Sequence, residues 1–341
     1  MPKKKSSRKT ATAPKAPVAP VKAAVAKAGV SVDAVAKKAE RRAARKSYFM
    51  NCVYWLAIAS AVATGCWMIS RNGAATTAPV AEDAAEVRAN TPANVAAAAR
   101  LADSGKSKLL DGDAVGALND FSAAIEQNPA AEYFVYRGEI LMQGENFAAA
   151  VADFGAALRI DAKSVAAYYD RALANIRLEK LSDAKADLDK AVANWNEDSP
   201  ISEHDVFAKR AQVSLWLRDW RASEADWTQA IAKTSGESDW NDFAGRAECR
   251  TNMGDFQEAA NDYVSAVTII SDRIQKTPDD TTRANMSRQA MGYFEKSGAL
   301  RIKLDQHDLA LQDLQAAHTL AIALDDIENK NRLQILISSL M

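Results

Sequence analysis

The residues that could do chemistry are few, and their spacing does not suit it. Of three cysteines in 341 residues, Cys52 and Cys66 lie inside an apolar run and Cys249 stands alone. That leaves no disulfide framework and no redox pair. His204, His307 and His318 have no Cys or His partner at ligand spacing, so no metal and no cofactor is expected. There is no glycine-rich phosphate loop and no nucleophile elbow. The acidic pairs Asp279-Asp280 and Asp325-Asp326 suit the first turns of helices better than acid/base work. The chain therefore reads as non-enzymatic, with no small-molecule substrate. What does recur is charge. Asp120, Asp153, Asp187, Asp226, Asp262 and Asp313 follow one another at 33, 34, 39, 36 and 51 residues, with Arg137, Arg171, Arg210 and Arg246 in phase. Opposite charges repeated in this way point to structural ion pairs.

The elements that must position them come from the same period. Six blocks align, in frames that start near residues 98, 131, 165, 204, 240 and 291, and each carries two amphipathic patterns joined by a short turn. Alanine is abundant, Gly and Pro are few, and strand-type alternation is hard to find after residue 98. Within each frame the eighth position is small (Gly105, Gly138, Ala172, Ala211, Ala247, Gly298), and so is the twentieth (Ala117, Ala150, Ala184, Ser223, Ala259, Ala310). The twenty-fourth is large (Phe121, Phe154, Leu188, Trp227, Tyr263, Leu314), and the twenty-seventh is always alanine (Ala124, Ala157, Ala191, Ala230, Ala266, Ala317). Over about residues 98–324 this pattern resembles the tetratricopeptide repeat (TPR) family. Its turn glycine remains only at Gly112 and Gly254, and its closing proline only at Pro129. The expectation is an all-α fold: a right-handed α-solenoid of about six helix-turn-helix repeats over residues 92–324, with a capping helix over 325–341. Small positions let two helices approach, and the large one fills the space towards the next repeat.

The recurring charges fall at frame position twenty-three (Asp) and position seven (Arg in repeats two to five). Ser104 and Ser297 replace the arginine in repeats one and six. Pairing each Asp with the Arg of the following repeat would explain both absences. The first repeat has no predecessor, and the sixth follows an insertion of about 17 residues. The expected ladder is Asp120–Arg137, Asp153–Arg171, Asp187–Arg210 and Asp226–Arg246, with pairing inside a repeat as the second choice.

The resemblance also implies a concave face formed by the first helices. Carried over position by position, it includes Leu109, Leu110, Val135, Glu139, Met142, Tyr169, Leu173, Ile176, Arg177, Gln212, Leu215 and Trp216. Repeats five and six are more polar there, with Asn241, Glu248, Asn252 and Glu295. The Lys and Asn set by which chaperone-adaptor members clamp a C-terminal carboxylate is absent. A protein partner is expected, offering an apolar helix or extended segment to Tyr169, Leu173 and Trp216. Trp220 and Trp227 read as core.

The first ninety residues differ from the rest. Residues 1–47 form a basic, Ala/Pro-rich tail with fourteen Lys/Arg against Asp33 and Glu40, so the remainder must be acidic to give a net charge of -1. Such a tail is expected to be disordered and could contact anionic lipid or nucleic acid. Residues 48–70 are uncharged and, at about 1.5 Å per residue, long enough for a single transmembrane helix. Residues 71–91 read as a flexible linker, with Thr91-Pro92 as a helix start. Positive charge before the span keeps the N-terminus cytoplasmic and puts the repeats on the opposite side. A bacterial inner membrane with a periplasmic array is expected, with an organelle membrane as the alternative. Together these features describe a membrane-anchored, single-pass scaffold or adaptor that assembles a membrane-associated complex. Alternatives are a tail whose lipid or nucleic-acid binding is the main activity, or a chaperone-like factor in the exported compartment. Two interruptions, residues 194–203 with a restart at Ser199-Pro200 and residues 271–290, should lengthen their connections. The second should give a long second helix in repeat five and a long first helix in repeat six.

Overall fold

The computed structural model describes residues 91–234 and 239–341. The tail, the apolar run 48–70 and all but the last residue of the linker lie outside the described residues, as does the expectation of an anchor. Among the described residues no helix is long and apolar enough to cross a membrane. They form helices only: α1 (Pro92–Leu110), α2 (Ala114–Gln127), α3 (Ala131–Gln143), α4 (Phe147–Ile160), α5 (Val165–Arg177), α6 (Leu181–Asn194) and α7 (Glu203–Trp216). There follow α8 (Trp220–Lys233), α9 (Trp240–Met253), α10 (Phe256–Lys276), α11 (Asp280–Lys303), α12 (His307–Ala323) and α13 (Ile327–Leu340). Each helix packs mainly on its neighbours in the chain, as a solenoid of helix pairs requires.

The turns inside the six pairs share one geometry. Frame position fifteen has positive φ in every repeat: Gly112, Glu145, Glu179, Arg218, Gly254 and Asp305. In each turn the next amide donates back to the carbonyl five residues earlier, as in Asp113 N–H to Lys108 O at 2.8 Å and Asp219 N–H to Ser214 O at 2.9 Å. This Schellman-type closure satisfies carbonyls left over at the helix end. The turn thus persists in four repeats that have no glycine there.

Caps fix the longer connections. The Thr91 hydroxyl accepts from Asn94 N–H, with Pro92 in the first turn. Asp279 accepts from Thr282 N–H at 2.7 Å and starts α11, which runs 24 residues beside the 21 of α10. The expected restart at Ser199-Pro200 is corrected. There the Ser199 hydroxyl accepts from Asn196 N–H, and the Trp195 indole donates to Ile201 O at 3.0 Å. The loop closes on buried Ile201, and α7 begins only after Ser202, whose hydroxyl accepts from Asp205 N–H.

The core follows the frame. The six alanines at position twenty-seven and the six small residues at position twenty are fully buried, and so are or nearly so the six large residues at position twenty-four. A Cβ on Gly138 would stand 2.6 Å from Phe154, and one on Gly105 3.0 Å from Phe121. Phe121 also stacks on Tyr136 of the next repeat, with ring centroids 5.1 Å apart. Trp227 instead reaches forward to Gly245, where a Cβ would stand 2.5 Å from its ring. On α13, Leu333 and Ile337 are buried against Leu314, Ala317 and Ala321 of α12.

Candidate protein-binding face

The charge ladder joins the two helices within each central repeat. Arg137, Arg171, Arg210 and Arg246 each grip an aspartate of their own repeat: Asp153, Asp187, Asp226 and Asp262. Both Nε and Nη2 donate, over 2.5 to 2.9 Å in the case of Arg171. This corrects the expected pairing of each Asp with the following repeat. The two helices of a repeat lie antiparallel, which puts position seven opposite position twenty-three sixteen residues later. What reaches the preceding repeat is the third nitrogen, Nη1, and it meets position twenty-five: Ser122 from Arg137, Asp189 from Arg210, Thr228 from Arg246.

The missing arginines have a different explanation from the expected one. In repeat one Asp120 accepts from Ser104 at 2.6 Å and pairs with Lys108 at 2.7 Å. In repeat six Arg301 stands 2.9 Å from Asp313. Lys108 and Arg301 both occupy frame position eleven, one helical turn after seven, so the cation has moved along the same helix face. Repeat five has both cations on Asp262. Lys108 first and Ser104 second hold the Asp120 carboxyl below its usual range, whereas burial pushes that of Asp313 up. Each of the four arginines also lies over the aromatic ring three residues before it, at 5.5 to 5.8 Å: Phe134, Tyr168, Phe207 and Phe243.

The residues assigned to the binding face separate into two groups. Leu109 is only 8% exposed and belongs to the core of the first repeats, which corrects its assignment to a groove. Val135 and Met142 pack part-buried on Ala150, Phe154 and Ala174. Tyr169 and Ile176 do the same on Ala172, Ala184, Leu188 and Val213, and Leu215 on Ala211 and Trp227. These residues join neighbouring repeats and show the solvent only an edge. Leu173 and Gln212 are half-buried, the latter accepting from Lys209 at 3.2 Å. Arg177 is exposed, over Phe147 at 4.6 Å and 3.8 Å from Glu145. Trp216 is 45% exposed and Leu110 73%. Glu139 has its carboxyl pushed well up, chiefly by burial and then by the carboxylate of Asp170 across the repeat boundary.

Two features had no signal in the sequence. His204 stands between Asp205 (3.1 Å) and Asp242 of the next repeat (2.8 Å), and these hydrogen bonds, Asp205 first, raise it to about 10. Burial pushes the Asp242 carboxyl up, against the pull of His204. The geometry is that of a charged imidazolium shared by two carboxylates, which ties repeat four to repeat five. The second feature is a cleft between α9, α10 and α11, lined by Glu248, Thr251, Tyr263, Lys296, Leu300 and Lys303. Among the described residues no His/Cys/Asp/Glu group could hold a metal ion.

No family model matches the chain, and no curated protein is similar to it. Solved structures do resemble it. The C-terminal part of a TPR repeat-containing protein from Cytophaga hutchinsonii aligns at 12% identity over 65% of this chain and 83% of that one, with a TM-score of 0.51. YrrB, a TPR protein, aligns at 19% identity over 63% and 97%, TM-score 0.49. PilF of Pseudomonas aeruginosa aligns at 13% over 71% and 99%, TM-score 0.49. At 12% identity the first of these shows a likeness of fold alone. The described residues form an all-α TPR solenoid.

Proposed function

We propose that the chain is a membrane-anchored scaffold whose repeat array holds a protein partner on the face of its first helices. The observation that carries the binding half is the exposure of Trp216 at 45% on an α7 whose neighbouring Leu215 and Ala211 are packed inward. An indole left half in water, one turn after half-buried Gln212, suits an anchor for an apolar segment. Half-buried Leu173 holds the frame position of Gln212 one repeat earlier. The groove is narrower than the sequence suggested, because Leu109, Val135, Met142, Ile176 and Leu215 are largely engaged between repeats. Leu173 and Trp216 remain its centre, and Tyr169 contributes only the edge it shows to solvent. The array contributes stiffness: bidentate Arg–Asp pairs lock the two helices of each central repeat, so a partner meets a preformed surface. Affinity purification from detergent extracts tests this, comparing the natural chain with Tyr169→Asp/Trp216→Asp. Loss of the co-purifying proteins is expected, and an unchanged set would refute the groove.

The anchor rests on residues 48–70, twenty-three in a row without charge, and the orientation rests on the fourteen cations before them. Retention of the full chain in membranes after alkaline extraction tests the first. Protection of the array from protease added on the cytoplasmic side tests the second. Those fourteen cations also favour a contact of the tail with anionic lipid or nucleic acid. Deleting residues 1–46 should abolish that contact and leave partner capture intact.

A further inference from the structure

The cleft between repeats five and six differs in chemistry from the rest of the first-helix face. Its volume is about 270 Å³. Its floor is Tyr263 and Leu300, 2% and 4% exposed, and the small side chain of Ala299 leaves the mouth open. Thr251 and Glu248 form one side. The other carries Lys296 and Lys303, seven residues apart on α11 and therefore about 10 Å apart along its axis. Both are exposed.

What the lysines touch is informative. Lys296 lies over the ring of Tyr263 at 5.6 Å, and Lys303 over Phe256 at 4.9 Å. Neither ammonium has a carboxylate within ion-pair distance among the described residues. The cations at frame positions seven and eleven, by contrast, hold aspartates. An ammonium on an aromatic face has three N–H donors and no acceptor there, so donors remain for an anionic partner. Here two such ammoniums flank an apolar floor, and the surrounding body carries net negative charge. An isolated positive rim on an acidic protein selects ligand charge by contrast, and it steers as well as holds.

We propose that this cleft is a docking subsite for an acidic protein segment, in which one apolar side chain enters over Tyr263 and Leu300 and flanking Asp or Glu side chains reach Lys296 and Lys303. The two lysines reject a cationic segment, and Glu248, across the cleft, accepts a backbone N–H or a hydroxyl. This rests on the reading of the first-helix face as a protein-binding surface and adds a polarity to the partner. Its apolar stretch belongs over repeats three and four, and its acidic stretch over repeats five and six.

The test is a peptide-display selection on the full chain in detergent. Retained peptides are then measured by fluorescence anisotropy on the natural chain, on Lys296→Glu/Lys303→Glu and on Tyr169→Asp/Trp216→Asp. Both lysines are exposed, and circular dichroism checks that the variant keeps its helices. Retained peptides are expected to carry Asp or Glu beside an aromatic or aliphatic residue, and to lose at least about tenfold in affinity on the lysine variant. Their binding should also weaken as salt rises. Retained peptides with no acidic enrichment, or with affinity indifferent to the lysine variant but lost on Tyr169→Asp/Trp216→Asp, would overturn the subsite and leave the apolar groove standing. If no variant and not the natural chain retains any peptide, both readings fall together.

Discussion

Asp187 is 5% exposed, takes two hydrogen bonds from Arg171 and a third from Asn175, and so has its charge fully partnered in a site that water barely reaches. The pair's net contribution is small, because burying both ions costs about as much as their attraction returns. Breaking it is another matter. Arg171→Ala leaves a buried carboxylate with one amide donor and should cost about 2–4 kcal/mol, whereas Arg171→Met with Asp187→Leu should cost much less than the single change. Urea unfolding midpoints of the two variants check this, and equal losses would show that the pair is worth more than the geometry implies. His204 is tested by pH. Its folded pKa of about 10 exceeds the ordinary 6.5, so folding binds a proton that the unfolded chain releases. Its contribution is complete below about pH 6.5 and declines as pH rises towards 10. The charged groups facing it are Asp205 on its own helix and Asp242 on α9, with Asp239 close to the latter. The midpoint of thermal unfolding should fall across that window and fall less steeply in His204→Gln. Parallel curves would mean that the imidazole is not held charged.

At the scale of the element, the six identical turns explain how a divergent repeat stays in register. An L-residue in the left-handed region costs about 1–2 kcal/mol, and Glu145, Glu179 and Arg218 bear that cost without the local side-chain bonds that ease it for Asp or Asn. Glu179→Gly and Arg218→Gly should therefore each raise the unfolding midpoint, by up to about 1 kcal/mol in stability, and Gly254→Ala should lower it by a similar amount. Calorimetry on the three variants decides, and a loss in Arg218→Gly would mean that its side chain holds the turn through contacts. These turns also show what was legible in the sequence. Only two of six kept the glycine that advertises the conformation, yet the helices around them were readable, because small residues at positions eight and twenty and alanine at twenty-seven record how closely two backbones must approach. The ladder was half legible. Its members stand out by charge and phase, but a list of phases does not say which helix faces which. The clue lay in Lys108 and Arg301, one turn after Ser104 and Ser297, since a cation displaced by a turn still serves the same aspartate within its own pair. The face residues were the least legible. Position in the frame says that Ile176 and Leu215 point the same way as Trp216, but only the packing of neighbouring repeats decides which are covered. The His204–Asp242 bridge joins residues 38 apart and the Lys296–Tyr263 contact of the cleft residues 33 apart, with no periodic signal to mark either.

For the whole molecule the consequence of stacking is that stability is nearly a sum over neighbours. Helices touch the next in the chain, and only α3 with α5 and α7 with α9 reach further among the stronger contacts. An array of this kind has two ends, each with an apolar face to cover. At one end α13 does this by burying Leu333 and Ile337 against Met291 of α11 and Leu314, Ala317 and Ala321 of α12. Two such side chains contribute about 1.5–3 kcal/mol each. Arg332 adds a bond to Glu295 at 2.6 Å on the exposed rim, which is worth little. Removing residues 325–341 should therefore expose the α11–α12 pair and loosen it, while repeats one to three keep their own interfaces. Native-state hydrogen exchange reads this directly. Protection in α11 and α12 should fall by at least about a hundredfold, taking 3 kcal/mol as the loss, with a smaller change in α9 and α10 and none in α1 to α4. The lysine cleft lies between repeats five and six, so its peptides should weaken in the same truncation while the Trp216 surface is spared. Protection lost evenly along all the helices would instead show that the long α10–α11 hairpin couples the array into one cooperative unit, and the nearest-neighbour account would have to be given up.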